Sequence, residues 1–190
     1  SYSHCRFWRN LGNNIMPIIL NGTTGNISGS SLTGITTGKV LQVVQTEKTD
    51  TFSVSSSTDT DVTGMSATIT TTGSNKVLVQ VLLHAIITSS SQHWGGRMTL
   101  LRGSTPINIG DAAGSRIRST AYIDGDGSLF GMQSLANYLD SPSAGTHTYK
   151  IQIAQSRGQQ IVVNRGLDDA DNTTYGQRTA STITLMEVAA

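Results

Sequence analysis

Glutamate and lysine are scarce in this sequence. It holds two Glu, Glu47 and Glu187, and four Lys, against ten Asp and nine Arg. Glu and Lys suit helix interiors, whereas Asp suits turns and caps, so the imbalance argues against helices. Charged residues are only 13% of the 190, and the formal net charge is +1. No basic stripe is available for nucleic acid. Cys5 is the single cysteine, which excludes an intrachain disulfide and a multi-cysteine zinc site. No apolar run approaches the roughly 20 residues of a membrane helix. Ile15 to Leu20 is too short for a secretory signal, and Pro17 interrupts it. No Gly-x-Ser-x-Gly elbow is present for a hydrolase triad. Two Glu leave little for a carboxylate-pair glycosidase. The four histidines, His4, His84, His93 and His147, match no metal-ligand spacing and read as packing or surface residues. No enzyme is expected.

What is present is Gly, Thr and Ser around short apolar alternations. The densest apolar stretch is Lys76 to Ile87. Val77, Val79, Val81 and Leu83 fall on one face, and Leu78, Leu82 and Ile86 on the other with Gln80 and His84. β-Branched residues at period two indicate a strand. A strand apolar on both faces needs cover on both. One face buries in the domain's own core, and the other is expected to meet a second layer or a second copy.

Residues 1–15 carry Tyr2, Phe7 and Trp8 without periodicity. They are expected to be an extension from upstream or an artificial addition, with a flexible arm as the alternative. Residues 16–38 form a Gly/Ser/Thr-rich lead that cannot bury enough apolar area alone. It reads either as a flexible linker or as a stem in which three chains wrap together. Residues 39–190 then alternate apolar segments with turn signals. Strands are expected at Lys39–Gln45, Thr51–Ser55, Val62–Thr70, Lys76–Ile87, Trp94–Arg102, Arg116–Ile123, Ser128–Leu139, Thr146–Gln155, Gln160–Asn164 and Thr179–Val188. Gly103-Ser104-Thr105-Pro106 reads as a turn, Asp124-Gly125-Asp126-Gly127 as a hairpin turn, and Gly95-Gly96 as a bulge or a close backbone approach. This spacing predicts an all-β fold, a jelly-roll-like antiparallel β-sandwich behind a Gly/Ser/Thr-rich N-terminal stem.

Three groups of residues stand out as site candidates. His93 and Trp94 with Gln92, and Asn172 with Tyr175, combine an aromatic ring with polar partners in loops, as glycan recognition requires. Core or rim packing is the plainer reading of Trp94. Arg116, Arg118 and Tyr122 share one face of an expected strand. They suit sugars or acids, and better a subunit interface together with Leu78 and Leu82. Asp168, Asp169 and Asp171 are the better of two acidic clusters for calcium, although turn formation is the simpler role and neither has EF-hand spacing.

Several phrases occur in a familiar order: Ile109-Gly110-Asp111-Ala112-Ala113-Gly114-Ser115-Arg116, Asn137-Tyr138-Leu139-Asp140-Ser141-Pro142, Thr148-Tyr149-Lys150-Ile151-Gln152, Val163-Asn164-Arg165 and Ser181-Thr182-Ile183-Thr184-Leu185-Met186-Glu187-Val188. With the Met16-Pro17-Ile18 start, residues 16–190 resemble virion structural proteins of tailed bacteriophages, notably the tail-fibre-like proteins of cyanophages and related aquatic phages. The resemblance implies a β-sandwich head, usually trimeric, on a fibre or the capsid surface. The expected role is a tail-fibre-type head that forms a homotrimer, contacts other virion proteins and binds a host-surface receptor, a glycan being the expected class. The alternative is a capsid decoration or cement protein with a purely structural role. No cofactor beyond calcium is suggested, and neither nucleic acid nor membrane insertion is expected.

Overall fold

The computed structural model describes residues 19–21, 26–28, 40–87, 95–124, 132–166, 168–174 and 176–189. The chain divides into two compact units, Ser1–Gly38 and Lys39–Ala190. The first holds a short antiparallel pair, β1 (Ile19–Asn21) and β2 (Asn26–Ser28), with Leu20 opposite Ile27. Neither strand was expected, because three-residue segments carry too little pattern to read.

The second unit is built from strands throughout its described residues: β3 (Val40–Lys48), β4 (Phe52–Val54), β5 (Thr60–Thr71), β6 (Lys76–Ile87), β7 (Gly96–Arg102), β8 (Thr105–Ile107), β9 (Ala121–Ile123), β10 (Met132–Asp140), β11 (Gly145–Gln155), β12 (Ile161–Val163) and β13 (Ser181–Val188). Two antiparallel sheets form. In sheet 1, β13 pairs with β6 from Lys76 to Leu82, and β12 pairs with the same edge of β6 from Ala85 to Ile87. The strands β12 and β13 therefore lie end to end as one ribbon. The neighbouring β4 and β3 do the same, and β10 takes the other edge of β6. In sheet 2 the order is β5-β11-β7, with β8 and β9 sharing the far edge of β7. Counted as ribbons along the chain, sheet 1 runs first, eighth, third, sixth, and sheet 2 runs second, seventh, fourth, fifth. That order, two four-ribbon sheets linked by Greek-key crossings, is a jelly roll.

Alternation puts the core between the sheets. Val77, Val79, Val81, Leu83 and Ala85 of β6 are buried, facing Met98 and Leu100 of β7 and Tyr149, Ile151 and Ile153 of β11. In β5 the ladder slips between Asp61 and Ser66, and Gly64 sits at φ +84°. This bulge turns both Val62 and Met65 inward, three residues apart. It also leaves room for Lys48, whose buried Nζ donates to Asp50 Oδ1 at 2.8 Å and lies 5.8 Å from the Phe52 ring centre.

Asn164 closes the junction where β12 meets β13. It is fully buried at φ +59°, a conformation Asn tolerates better than most residues. Its Nδ2 donates to the carbonyls of Lys48 (2.7 Å) and Asp50 (3.1 Å), and its Oδ1 accepts from Ser181 Oγ (2.6 Å). Its N–H donates to His84 O, and its own carbonyl accepts from Thr179 N. Through its side chain and its backbone, one residue thus ties three ribbons where the ladder is interrupted.

Three expectations need correction. Arg116 to Ile123 is not one strand, since only Ala121–Ile123 pairs. Residues 108–119 form a loop held by Gly110 N to Ser119 O and Arg118 Nε to Gly110 O (2.6 Å), and Gly114 at φ +60° breaks the alternation. Thr105-Pro106 is strand rather than turn. β8 is an edge, where proline's missing N–H costs nothing, and the turn is Gly103-Ser104 alone. Finally, β9 and β10 do not make the hairpin expected at Asp124-Gly125-Asp126-Gly127, because they belong to different sheets. Ser134 Oγ donates to Tyr122 O where they meet.

Candidate interaction surfaces

The two sheets turn very different outer faces to solvent. On sheet 1 the cross-strand register stacks residues in rows. Leu139, Leu78, Met186 and Val43 form an apolar row across all four ribbons. Asn137, Gln80, Thr184 and Gln45 form the next row, with Gln80 Nε2 donating to Asn137 Oδ1 (3.0 Å) and Gln45 Nε2 to Thr184 Oγ1 (2.7 Å). Leu135, Leu82, Thr182 and Glu47 form the third. Val43 is 56% exposed, Leu135 55% and Leu139 49%, while Leu78, Leu82 and Met186 are half-buried. Val40 and Leu41 extend the exposed apolar surface along β3. The charges on these ladders stand towards opposite ends, Lys76 at one and Glu47 at the other. Contiguous apolar surface of this kind marks interaction sites on soluble proteins.

On sheet 2 the outer face is polar and internally paired. Asp61 accepts from Lys150 Nζ (2.7 Å) and Gln152 Nε2 (2.8 Å), and Asp59 accepts from Arg97 Nε (2.9 Å). Lys150, with help from Gln152, holds the Asp61 carboxyl below its ordinary range. Thr68 pairs with Thr148, and Thr70 with Thr146, through their hydroxyls. Tyr122 on β9 stands directly opposite Arg97, 59% exposed. Gly95-Gly96 is a close backbone approach: the Tyr122 ring lies over Gly95, and Ile161 over Gly96.

The two sheets are clasped at one end by a partly buried triad that sequence reasoning missed. Arg102 Nη1 (2.6 Å) and Tyr149 Oη (2.7 Å) both donate to Asp140 Oδ2. Arg102 and Tyr149 are cross-strand partners in sheet 2, and Asp140 ends β10 in sheet 1. Burial, reinforced by the Asp140 carboxylate, pushes the Tyr149 hydroxyl far above the usual phenol range. Near the far end of β13, Glu187 accepts from Asn75 Nδ2 (2.8 Å) and Gln42 Nε2 (2.6 Å), which hold its carboxyl below the usual value of 4.5.

The site residues expected from sequence are scattered. Leu78 and Leu82 do share the sheet 1 face. Arg116 and Arg118 lie exposed in the 108–119 loop, and Tyr122 belongs to sheet 2, so the five do not form one surface. His93, Trp94 and Tyr175 lie outside the described residues. Asn172 spends its side-chain oxygen on Thr174 N (2.7 Å), within its own turn. Asp169 pairs with Arg178, and among the described residues no three His, Cys, Asp or Glu come close enough to hold a metal. His84 and His147 are on different sheets.

No family model matches the chain, and no curated protein sequence matches it. Among solved structures the chain is similar to the structure of infectious bursal disease virus Gx strain, at 12% identity and a TM-score of 0.27. The likeness covers 97% of this chain and 45% of that one, so the chain spans less than half its length. A likeness this slight bears on neither mechanism nor partner.

Proposed function

We propose that this chain is a structural protein of a virus particle. Its jelly-roll unit is a tail-fibre-type head that assembles as a homotrimer and binds a host-surface glycan. The observation that carries the assembly is the outer face of sheet 1. Leu139, Leu78, Met186 and Val43 make an uncharged apolar row across all four ribbons of the sheet. Four ribbons at about 4.8 Å spacing and about 30 Å of strand present roughly 500 Å². A standard interface takes about 800 Å² from each partner. Edge residues such as Val40 and Leu41 supply part of the remainder. The trimer, the fibre setting and the receptor follow from the resemblance of residues 16–190 to phage fibre proteins. Three weak glycan sites on one trimer would act together.

A purely structural role, clamping neighbouring capsid subunits, is favoured by one observation: the carboxylates of Asp50, Asp61, Asp140, Asp169 and Glu187 are engaged within the chain. Probing a glycan array with the full-length chain separates the two readings. Binding to one glycan class supports the receptor role, and a blank array supports the clamp.

A further inference from the structure

We propose that the outer face of sheet 2 carries a shallow site for a neutral pyranose sugar, built from Tyr122, Arg97 and Asp59. The purpose of such a site rests on the receptor reading above, but its residues and its test do not. Tyr122 is the one aromatic side chain among the described residues left exposed. It is also held in place from below. A Cβ on Gly95 would stand 1.9 Å from the Tyr122 hydroxyl oxygen, so the ring lies where only glycine leaves space. Gly95 is itself pinned, since Ser156 Oγ bonds both its N–H (3.3 Å) and its carbonyl (2.5 Å).

Arg97 is the cross-strand neighbour of Tyr122. Its side chain is 16% exposed and is fixed by Asp59 Oδ1 and by the Ser57 carbonyl at 3.1 Å from Nη2. It spans Ala154, its other cross-strand partner, which is fully buried. The row thus reads carboxylate, small residue, guanidinium, aromatic ring, already ordered before any ligand arrives. A pyranose offers an apolar C–H face for the ring and adjacent hydroxyls for a planar donor beside a carboxylate acceptor. Asp59 neutralises Arg97, so the site carries no net charge and favours neutral over acidic sugars. Groups fixed in advance lose little freedom on binding.

The test is saturation-transfer NMR on the full-length protein with methyl glycosides of glucose, galactose and mannose, and methyl glucuronide as the acidic comparison. Transfer to the ring C–H protons of at least one neutral glycoside is expected. Tyr122→Ala should weaken it at least tenfold without moving the melting midpoint, and Tyr122→Phe should retain it. Asp59→Asn should weaken it through the loss of the fixed Arg97. No transfer from any neutral sugar, equal binding by Tyr122→Ala, or stronger binding of the glucuronide would overturn the proposal. Sugar binding with no attachment on a glycan array leaves the site standing and removes the receptor role. Array attachment that survives Tyr122→Ala does the reverse.

Discussion

Asn164 shows how one polar residue holds a fold together. Its amide meets two carbonyls, and its oxygen meets Ser181, with the Lys48 and Ser181 bonds out of water. Removing it strands those groups and places a Cβ-only residue at positive φ. Asn164→Ala should therefore cost about 3 kcal/mol or more, read as a lower denaturant midpoint. Asn164→Asp turns lone pairs towards the Lys48 and Asp50 carbonyls and should cost at least as much. Tyr149→Phe leaves Asp140 to Arg102 alone and should cost about 1–2 kcal/mol by the same measurement. Neither role was legible beforehand. Asn164 ends an expected strand and Asp140 follows one, and a side-chain hydrogen bond to another strand leaves no mark in the local alternation of either segment.

At the scale of elements, alternation carried most of the reading. β6 and β11 match their expected spans closely because both run long with β-branched residues at period two. The Arg116 to Ile123 segment failed for a reason visible in its neighbours. Thr120 N–H binds Met98 O, and Thr120 Oγ1 accepts Leu100 N–H (2.9 Å), so pairing starts only at Ala121. Hence the arginines fell off the face they were assigned. The β3–β13 pair has its own pH signature. Asn75 and Gln42 lower the Glu187 carboxyl in the fold, so its ionised form stabilises the protein above the unfolded value of 4.5. That contribution is lost as the pH falls below about 4.5. Melting midpoints across this range should drop less steeply for Glu187→Gln than for the parent chain.

The Lys39–Ala190 unit is a jelly roll whose outer faces differ, one crossed by an apolar row and the other polar and internally paired. The crossing pattern between sheets came from no single segment, yet the count of strands and the short loops pointed to it. The two-sided apolar pattern of Lys76–Ile87 marked a second face in need of cover, and Leu78 and Leu82 stand half-buried on the outer face of sheet 1. It did not reveal that Val43, Met186 and Leu139 complete the row, because those residues lie on three other strands. Charge placed in that row should separate the copies without unfolding them, since Leu139 and Val43 are half exposed already. Val43→Lys should behave as Leu139→Lys does, with an unchanged melting curve at low concentration.

Light scattering on the full-length chain and on Leu139→Lys tests the assembly most directly. The account predicts a mass three times the 20.1 kDa chain for the parent and a lighter, folded species for the variant. A parent that stays at the mass of one chain, with the sheet 1 face open to water, would contradict it.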